Sequence, residues 1–164
     1  MGTEIEMTIK GLMIDPITNM PIIVLRDGEG QRVLPIWVGI FEANAIALQM
    51  ENVQTPRPMT HDLLKNVIDD LNAAVERIVV CELKDNTFYA TIHLRSGVGQ
   101  VTIDARPSDA IALALRTSAP IYVEETVLQS ARSDETASPG SMDVTRLQKW
   151  LEGLDEDQLG KYKM

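Results

Sequence analysis

The order in which strand-like and helix-like segments follow one another constrains the fold of this chain most. Residues Glu4–Ile14 alternate apolar and polar side chains, which predicts a strand with one face in water. Pro21–Leu25 and Arg32–Val38 are two further strand segments, joined by a turn whose glycines supply the positive φ of a hairpin. Pro35 places the third strand at an edge or at a bulge, because proline cannot donate a ladder hydrogen bond. This part of the chain therefore predicts an antiparallel sheet.

Helical periodicity follows. Helices are predicted over residues 41–52 and 61–72, with Thr60 as the N-cap of the second. Strands are then predicted over residues 75–83, 88–94 and 100–104, and a helix over Ala110–Arg116. The residues of the second helix that are expected to face the core are Leu63, Leu64, Val67, Ile68 and Leu71. The whole pattern predicts an α+β fold, with a mixed and mostly antiparallel sheet and packed helices.

The chain also resembles itself. The segment Ala43–Leu48 matches Ser108–Leu113 at a constant offset of 65 (108 − 43), and each copy follows an apolar strand and a turn. This match predicts an internal β-β-β-α duplication in which Asn44 corresponds to Asp109. Small apolar helices also resemble one another by chance, because Ala and Leu favour helices.

The composition changes near residue 129. Residues 1–128 are predicted to form the α+β domain, residues 129–142 a flexible linker rich in Ser, Ala, Gly, Pro and charge, and residues 143–164 a short helical tail. The apolar side of the tail would contain Leu147, Trp150, Leu151 and Leu154, and it could dock on the domain or on a second subunit.

Charge and hydropathy limit the classes of function. The formal charge of −9 and the absence of a basic run argue against nonspecific binding of nucleic acid through Lys and Arg alone. An acidic protein can still act on phosphates when divalent metal ions bridge its carboxylates to them. No segment approaches a membrane span, and the N-terminus lacks the basic start and apolar run of a signal peptide, so a cytoplasmic protein is expected.

Charged residues are crowded at the junction between the strand at 100–104 and the helix that follows. Pro107 forces a turn, Ser108 is expected to be the N-cap, and Asp109 in the first turn complements the helix dipole. Asp104 and Arg106 have no capping role. They lie where a strand end delivers side chains to a cleft, or they form a structural ion pair.

Three further candidates lie in the segment before the second predicted helix and in the first turn of that helix. Arg57 is flanked by Pro56 and Pro58, which hold it extended and present its guanidinium at little entropic cost, although such a segment is also typical of a plain surface linker. His61 falls in the first turn of a helix, which favours the neutral imidazole and suits a metal ligand or a general base. Asp62, in the same turn, complements the helix dipole.

Several of these runs, in order, resemble the bifunctional nuclease family. The matching runs are Leu34-Pro35-Ile36-Trp37-Val38-Gly39 with Glu42-Ala43, Pro56–Leu64, Asp85–Ala90 and Ile103–Leu113. The resemblance spans residues 4–128 and implies a cytoplasmic α+β protein that forms homo-oligomers, as the bacterial members of the family do. It also implies an activity on DNA and RNA, both of which the plant relatives are described as cutting. The polar positions of the motifs are all present: Glu42, Arg57, His61, Asp62, Asp104, Arg106, Ser108 and Asp109.

The resemblance supplies no agreed catalytic set, so roles follow from chemistry. Asp104, Asp109 and Glu42 are predicted to hold Mg²⁺ or Mn²⁺ through hard oxygen ligands. Arg57, Arg106 and Ser108 would bind the substrate, and His61, oriented by Asp62 or another carboxylate, would be the base. The alternative is a noncatalytic oligomeric module that uses the same charged motif for a small anionic ligand or for subunit contacts.

Overall fold

A computed structural model describes residues 2–133, which form one seven-stranded sheet and four helices. The strands are β1 (Glu4–Ile14), β2 (Pro21–Asp27), β3 (Val33–Trp37), β4 (Ala74–Lys84), β5 (Thr87–Ser96), β6 (Gly99–Ala105) and β7 (Ile121–Glu124). The helices are α1 (Ile40–Met50), α2 (Thr60–Asp70), α3 (Pro107–Thr117) and α4 (Glu125–Ser133).

The sheet has the order β3-β2-β1-β7-β4-β5-β6. Every neighbouring pair is antiparallel except β4 and β7, which are parallel. The predicted α+β class with a mostly antiparallel sheet is therefore confirmed. The element order contains β-β-β-α twice, as β1-β2-β3-α1 and as β4-β5-β6-α3, and this is the order that the predicted duplication requires.

The hairpins form at the positions that the turn residues of the sequence predict. The β2–β3 connection contains Gly30 at φ +71°, a backbone conformation that side chains with a Cβ rarely adopt. β3, which carries Pro35, lies at one edge of the sheet, as expected for a strand that contains proline.

The core lies between the sheet and α3, the most buried helix. Residues Ala110–Ala114 of α3 are all at most 1% exposed and pack in one cluster with side chains of the sheet, α1 and α4. A smaller cluster of Met13, Ile22, Val24 and Val33 lies on the other face of the sheet, since these residues alternate with core residues such as Ile23 and Leu34.

The predicted inward stripe of α2 is wrong for four of its five residues. Ile68 is buried, but Leu63, Leu64, Val67 and Leu71 are 39–72% exposed. The helix touches the core through His61 and Ile68, and its remaining apolar residues lie on one flank. Periodicity identifies an apolar face but does not show what covers it.

Two predicted helix caps are also wrong. The N-cap of α3 is Arg106, because Pro107 occupies the first helical position, where its missing N–H costs nothing; Ser108 is therefore the second helical residue. The N-cap of α2 is Met59, and Thr60 is the first helical residue. The carboxylate of Asp62 accepts the backbone N–H of Met59 at 2.9 Å, so the acidic residue caps this helix in place of the threonine.

The C-terminal boundary differs from the predicted one. Residues 129–133, expected to begin the linker, are the second half of α4. The rest of the predicted linker and the helical tail at residues 143–164 lie outside the described residues. Across residues 2–133, no helix has the length and hydropathy needed to cross a membrane.

Candidate functional site

An open groove of about 530 Å³ lies between α2 and the strands β5 and β6. Its floor and walls are apolar, and charged residues gather at one end. The apolar lining is Leu64, Ile68, Ile92, Leu94, Ile103, Ala105 and Leu113. The polar lining is Glu42, Thr60, His61, Asp104, Arg106 and Asp109. A cavity of this size with a few convergent polar groups is typical of a binding or active site.

Arg106 joins two carboxylates at the charged end. Its Nη2 donates to Glu42 Oε1 at 2.8 Å and lies 2.9 Å from Asp109 Oδ2, and its Nε donates to the same Oδ2 at 2.9 Å. Asp109 and Glu42 thereby raise the pKa of the Arg106 guanidinium above its ordinary value. The Arg106 side chain is 65% exposed, so it faces solvent at the mouth of the groove.

Asp109 also binds His61. The His61 Nε2 lies 2.9 Å from Asp109 Oδ1, and the histidine is 9% exposed. Because an ionised carboxylate only accepts hydrogen bonds, Nε2 is the donor and Nδ1 of a neutral ring carries the lone pair. Glu42, Arg106, Asp109 and His61 therefore form one continuous chain of charge-assisted hydrogen bonds. We call these four residues the groove cluster.

Gly39 makes room for one member of the groove cluster. It is the N-cap of α1, and a Cβ added to it would collide with the Glu42 carboxylate. Its φ of −71° is open to any residue, so glycine matters here because it leaves space for the Glu42 carboxylate and not because of the backbone conformation. Gly39 lies within a recognised motif, but sequence reasoning gave it no role.

Asp62 does not orient His61. Its Oδ1 accepts a hydrogen bond from Arg116 Nε at 2.6 Å, while Arg116 also donates to the backbone oxygens of Ala112 and Ala45. The Arg116 side chain is 4% exposed. The Met59 backbone N–H is the main cause that holds the pKa of Asp62 below its ordinary value, and Arg116 adds to it. Sequence reasoning missed Arg116, because a basic residue in the last turn of a helix is ordinary dipole complement.

Asp104 borders the groove but is separated from the groove cluster. Thr91 pairs with Asp104 and Ile92 with Ile103, and successive side chains of a strand point to opposite faces. Ile103 forms part of the groove, so the Asp104 carboxylate is directed to the other face. There it is one of the carboxylates that, after burial, raise the pKa of the Cys81 thiol.

The two remaining predicted residues lie apart from the charged end. Arg57 is exposed in the loop before α2 and does not line the groove. Ser108 is 6% exposed in the first turn of α3 and is likewise absent from the groove lining. The structure therefore brings together Glu42, His61, Arg106 and Asp109 of the eight predicted residues.

The predicted metal ligands do not fit Mg²⁺ or Mn²⁺ in this arrangement. Glu42 and Asp109 share the Nη2 atom of Arg106, which occupies the position between them, and Asp104 is directed away. Among residues 2–133, no three His, Cys, Asp or Glu side chains are grouped so as to hold a metal ion. A divalent ion could use these carboxylates only after Arg106 moved.

The groove cluster can support acid–base chemistry without such a move. A histidine held by a carboxylate presents its other nitrogen as a proton acceptor, the arrangement that activates water or hydroxyl nucleophiles in many hydrolases. Arg106 adds a positive charge at the solvent-facing end, where an anionic group would approach.

Comparison with known proteins supports one family. The sequence profile of the Bifunctional nuclease domain matches residues 23–136 of this chain. An uncharacterized protein of Mycobacterium tuberculosis is 37% identical over 160 residues, which cover 93% of this chain and 96% of that protein.

Two plant proteins match this chain at lower identity and over less of its length. Bifunctional nuclease 1 of Oryza sativa subsp. japonica is 26% identical over 147 residues, or 82% of this chain and 44% of the plant protein. Bifunctional nuclease 2 of Arabidopsis thaliana is 32% identical over 108 residues, or 63% of this chain and 32% of the plant protein.

Proposed function

The chain belongs to the bifunctional nuclease domain family, and from this premise we propose that it hydrolyses phosphodiester bonds in DNA and RNA with little sequence preference. The observation that carries the proposal is the groove cluster, in which Asp109 connects His61 to Arg106. The names of the plant relatives contain the word nuclease and so support nucleic acid as the substrate class.

The proposed roles follow from the hydrogen bonds. His61 takes a proton from the attacking water through Nδ1, while Asp109 fixes the ring and stabilises the positive charge that develops on it. Arg106 faces the phosphate and neutralises charge on its oxygens. Glu42 keeps the guanidinium in place from the α1 side.

The charge of the site provides the reason to test divalent ions. Two carboxylates and one guanidinium leave the groove cluster with a formal charge of −1, to which a polyanion binds poorly without counter-ions. Dependence on Mg²⁺ or Mn²⁺ therefore remains a separate prediction, although no step assigned above passes through a metal.

The test is cleavage of labelled single-stranded DNA and RNA by purified wild type and by Asp109→Asn, each with Mg²⁺, with Mn²⁺ and with EDTA. We expect Asp109→Asn to lower the rate at least about 100-fold, the lower end of what a positioned base contributes. Asp69→Asn is the matched control, because Asp69 is exposed on α2 and pairs with Lys65.

The same assay separates the alternatives. Equal rates for wild type and Asp109→Asn would contradict the proposal and point to another site or to a contaminating nuclease. An equal loss of cleavage rate in Asp104→Asn would favour a metal site formed by Asp104, Asp109 and Glu42 over a mechanism that uses the His61–Asp109 pair. Loss of activity in EDTA with recovery in Mg²⁺ or Mn²⁺ would establish metal dependence.

A second candidate function is a noncatalytic binding module. The observation that favours it is the large apolar share of the groove, together with four exposed apolar residues on α2. Absence of cleavage under every condition, combined with binding of a ligand in the groove, would support this candidate instead.

A further inference from the structure

The two edges of the sheet differ in how they are protected. β3 contains Pro35 at its middle, and proline at an edge prevents pairing with another strand. β6, at the other edge, has neither proline nor lysine over Gly99–Ala105, and its first six residues are exposed. Among residues 2–133, no strand pairs with the outer edge of β6, and a regular strand of this length with such an edge is a template for pairing.

The free edge is apolar on the side that carries the helices. Val101 and Ile103 alternate with polar residues along β6 and are 42% and 43% exposed. They lie on the same face as Ile92 and Leu94 of β5, with which they form cross-strand pairs.

The apolar flank of α2 is turned toward this edge. Leu63, Leu64, Val67 and Leu71 lie within about 100° of the helix circumference at 3.6 residues per turn. Leu64 lines the groove above β5 and β6, whereas Asp62 on the opposite flank binds Arg116 of α3. The exposed apolar surface therefore runs from α2 across the groove to the edge of β6.

We propose that β6 and the apolar flank of α2 form the contact surface for a second copy of this chain, with the two β6 strands paired antiparallel about a two-fold axis at Thr102. A second copy is the occupant that this surface fits, because the edge is complementary to itself. A two-fold axis at Thr102 pairs all seven residues of the strand, since Thr102 is the midpoint of Gly99–Ala105.

The backbone of β6 agrees with this register. The Ser96 and Gly99 pair that closes the two-residue turn is hydrogen-bonded, so Gln100, Thr102 and Asp104 direct their N–H and C=O groups to the free edge. About an axis at Thr102, these three residues meet the same three in reverse order. All of the outward groups at these positions are then paired.

The side chains also agree. Gln100 would lie opposite Asp104 of the partner subunit, so an amide faces each carboxylate and no two like charges are opposed. Val101 would lie opposite Ile103 of the partner subunit on the helix-bearing face. Both apolar floors then join into one, and the two α2 flanks border it from either side.

The pairing would bring the second copy to the groove cluster. Beyond the strand, Arg106 would lie opposite Val98 of the partner subunit. In the single chain, Val98 is 93% exposed in the β5–β6 turn. This consequence rests on the proposed function, because it makes the groove a cleft shared by two copies. The pairing itself does not depend on catalysis.

The first test is the mass of the full chain in solution by analytical ultracentrifugation over a range of concentrations. We expect a dimer for wild type, and for Ile103→Lys a dimer dissociation constant at least about tenfold higher, because a charged side chain would enter the apolar contact. Ile17→Lys is the matched control, since Ile17 is 73% exposed in the β1–β2 turn.

The second test is cross-linking in a Cys81→Ser background. Thr102→Cys should form a disulfide-linked dimer under mild oxidation, because paired residues at the axis have Cα atoms about 5.5 Å apart. Thr8→Cys is the control, as Thr8 is exposed on the interior strand β1.

A monomeric wild type would overturn the proposal, as would a dimer that Ile103→Lys leaves intact and Thr102→Cys does not link. A dimer with no nuclease activity would support this surface while contradicting the proposed function. An active monomer would do the reverse.

Discussion

Asp109 is the residue through which the groove cluster is connected. One of its oxygens accepts the hydrogen bond of His61, and the other accepts one from Arg106 Nε and lies 2.9 Å from Arg106 Nη2. A carboxylate with both oxygens occupied by charge-assisted partners is fixed in position, and the imidazole that it holds is fixed with it. Asp109, on α3, therefore fixes the orientation of the His61 ring on α2.

Gly39→Ala should change the position of the Glu42 carboxylate without changing the stability of the fold. The new Cβ would displace the Glu42 carboxylate, which is the mobile end of a long side chain, so we expect stability to change by less than about 1 kcal/mol. The contact between Glu42 and Arg106 would be lost, and the cleavage rate should fall. The paired measurements are urea unfolding and nuclease rate, and Gly28→Ala is the control because open space surrounds its Cβ position. A normal rate in Gly39→Ala would remove Glu42 from the mechanism.

Asp62 should contribute to stability in a pH-dependent manner. Its pKa is lowered in the folded chain, so its contribution is complete above the pKa of an unfolded aspartate and is lost as the pH falls through the folded value. Asp62→Asn should cost about 2 kcal/mol at neutral pH, because the buried Arg116 loses an ionised partner. The difference in unfolding free energy between variant and wild type should shrink as the pH falls below the pKa of an unfolded aspartate. A difference that does not change with pH would contradict this account.

At the scale of the elements, α2 is the helix whose apolar side chains are only partly buried by the rest of the described chain. It supplies His61 and Ile68 to the interior, but its apolar flank has no cover among residues 2–133. An amphipathic helix normally buries its whole apolar face. The position of α2 therefore links the groove to the proposed contact between two copies.

Two substitutions in α2 should behave differently. Ile68→Ala removes a side chain that is 8% exposed and should lower the unfolding free energy by about 2–4 kcal/mol at every chain concentration. Leu71→Ala removes one that is 72% exposed, so its effect should appear only at concentrations where the chain is dimeric. Urea unfolding at two concentrations makes the comparison. Equal losses at both concentrations for Leu71→Ala would place Leu71 in the core of a single chain.

The sequence predicts the elements better than their surroundings. Alternation and turn residues locate the strands, and Pro35 restricts its strand to an edge or a bulge, because these signals are local. The exposed flank of α2 could not be predicted, since periodicity reports an apolar face whether a sheet or another molecule covers it. Ser108 failed as a cap because the proline before it already begins the helix.

The candidate site shows the same limit. Composition and motif named all four residues of the groove cluster, but the partner of each depends on contacts between residues far apart in the chain. Arg106 meets Glu42 across a separation of 64 residues, and Asp62 pairs with Arg116 across 54. Strand alternation separates Asp104 from Ile103, but only the pairing of β5 with β6 shows which face carries the helices.

At the scale of the whole molecule, an acidic chain holds the groove cluster at one end of an apolar groove. With a net charge of −9, the protein repels nucleic acid at long range, so binding must rely on local contacts and on counter-ions. Added monovalent salt should therefore weaken binding of single-stranded DNA less steeply than for basic nucleases, which release many counter-ions. Fluorescence anisotropy across a salt series measures the slope, and a steep loss of affinity would indicate a basic surface that the described residues do not show.

The most direct test of the central claim compares the two histidines of the chain. His61 belongs to the groove cluster, whereas His93 lies on β5 beside Thr91, and its pKa is lowered chiefly by burial. Cleavage of single-stranded RNA and DNA should fall at least about 100-fold in His61→Gln and remain at the wild-type rate in His93→Gln, with both variants folded. Equal activity in His61→Gln and wild type would contradict the claim that the groove cluster carries out the reaction.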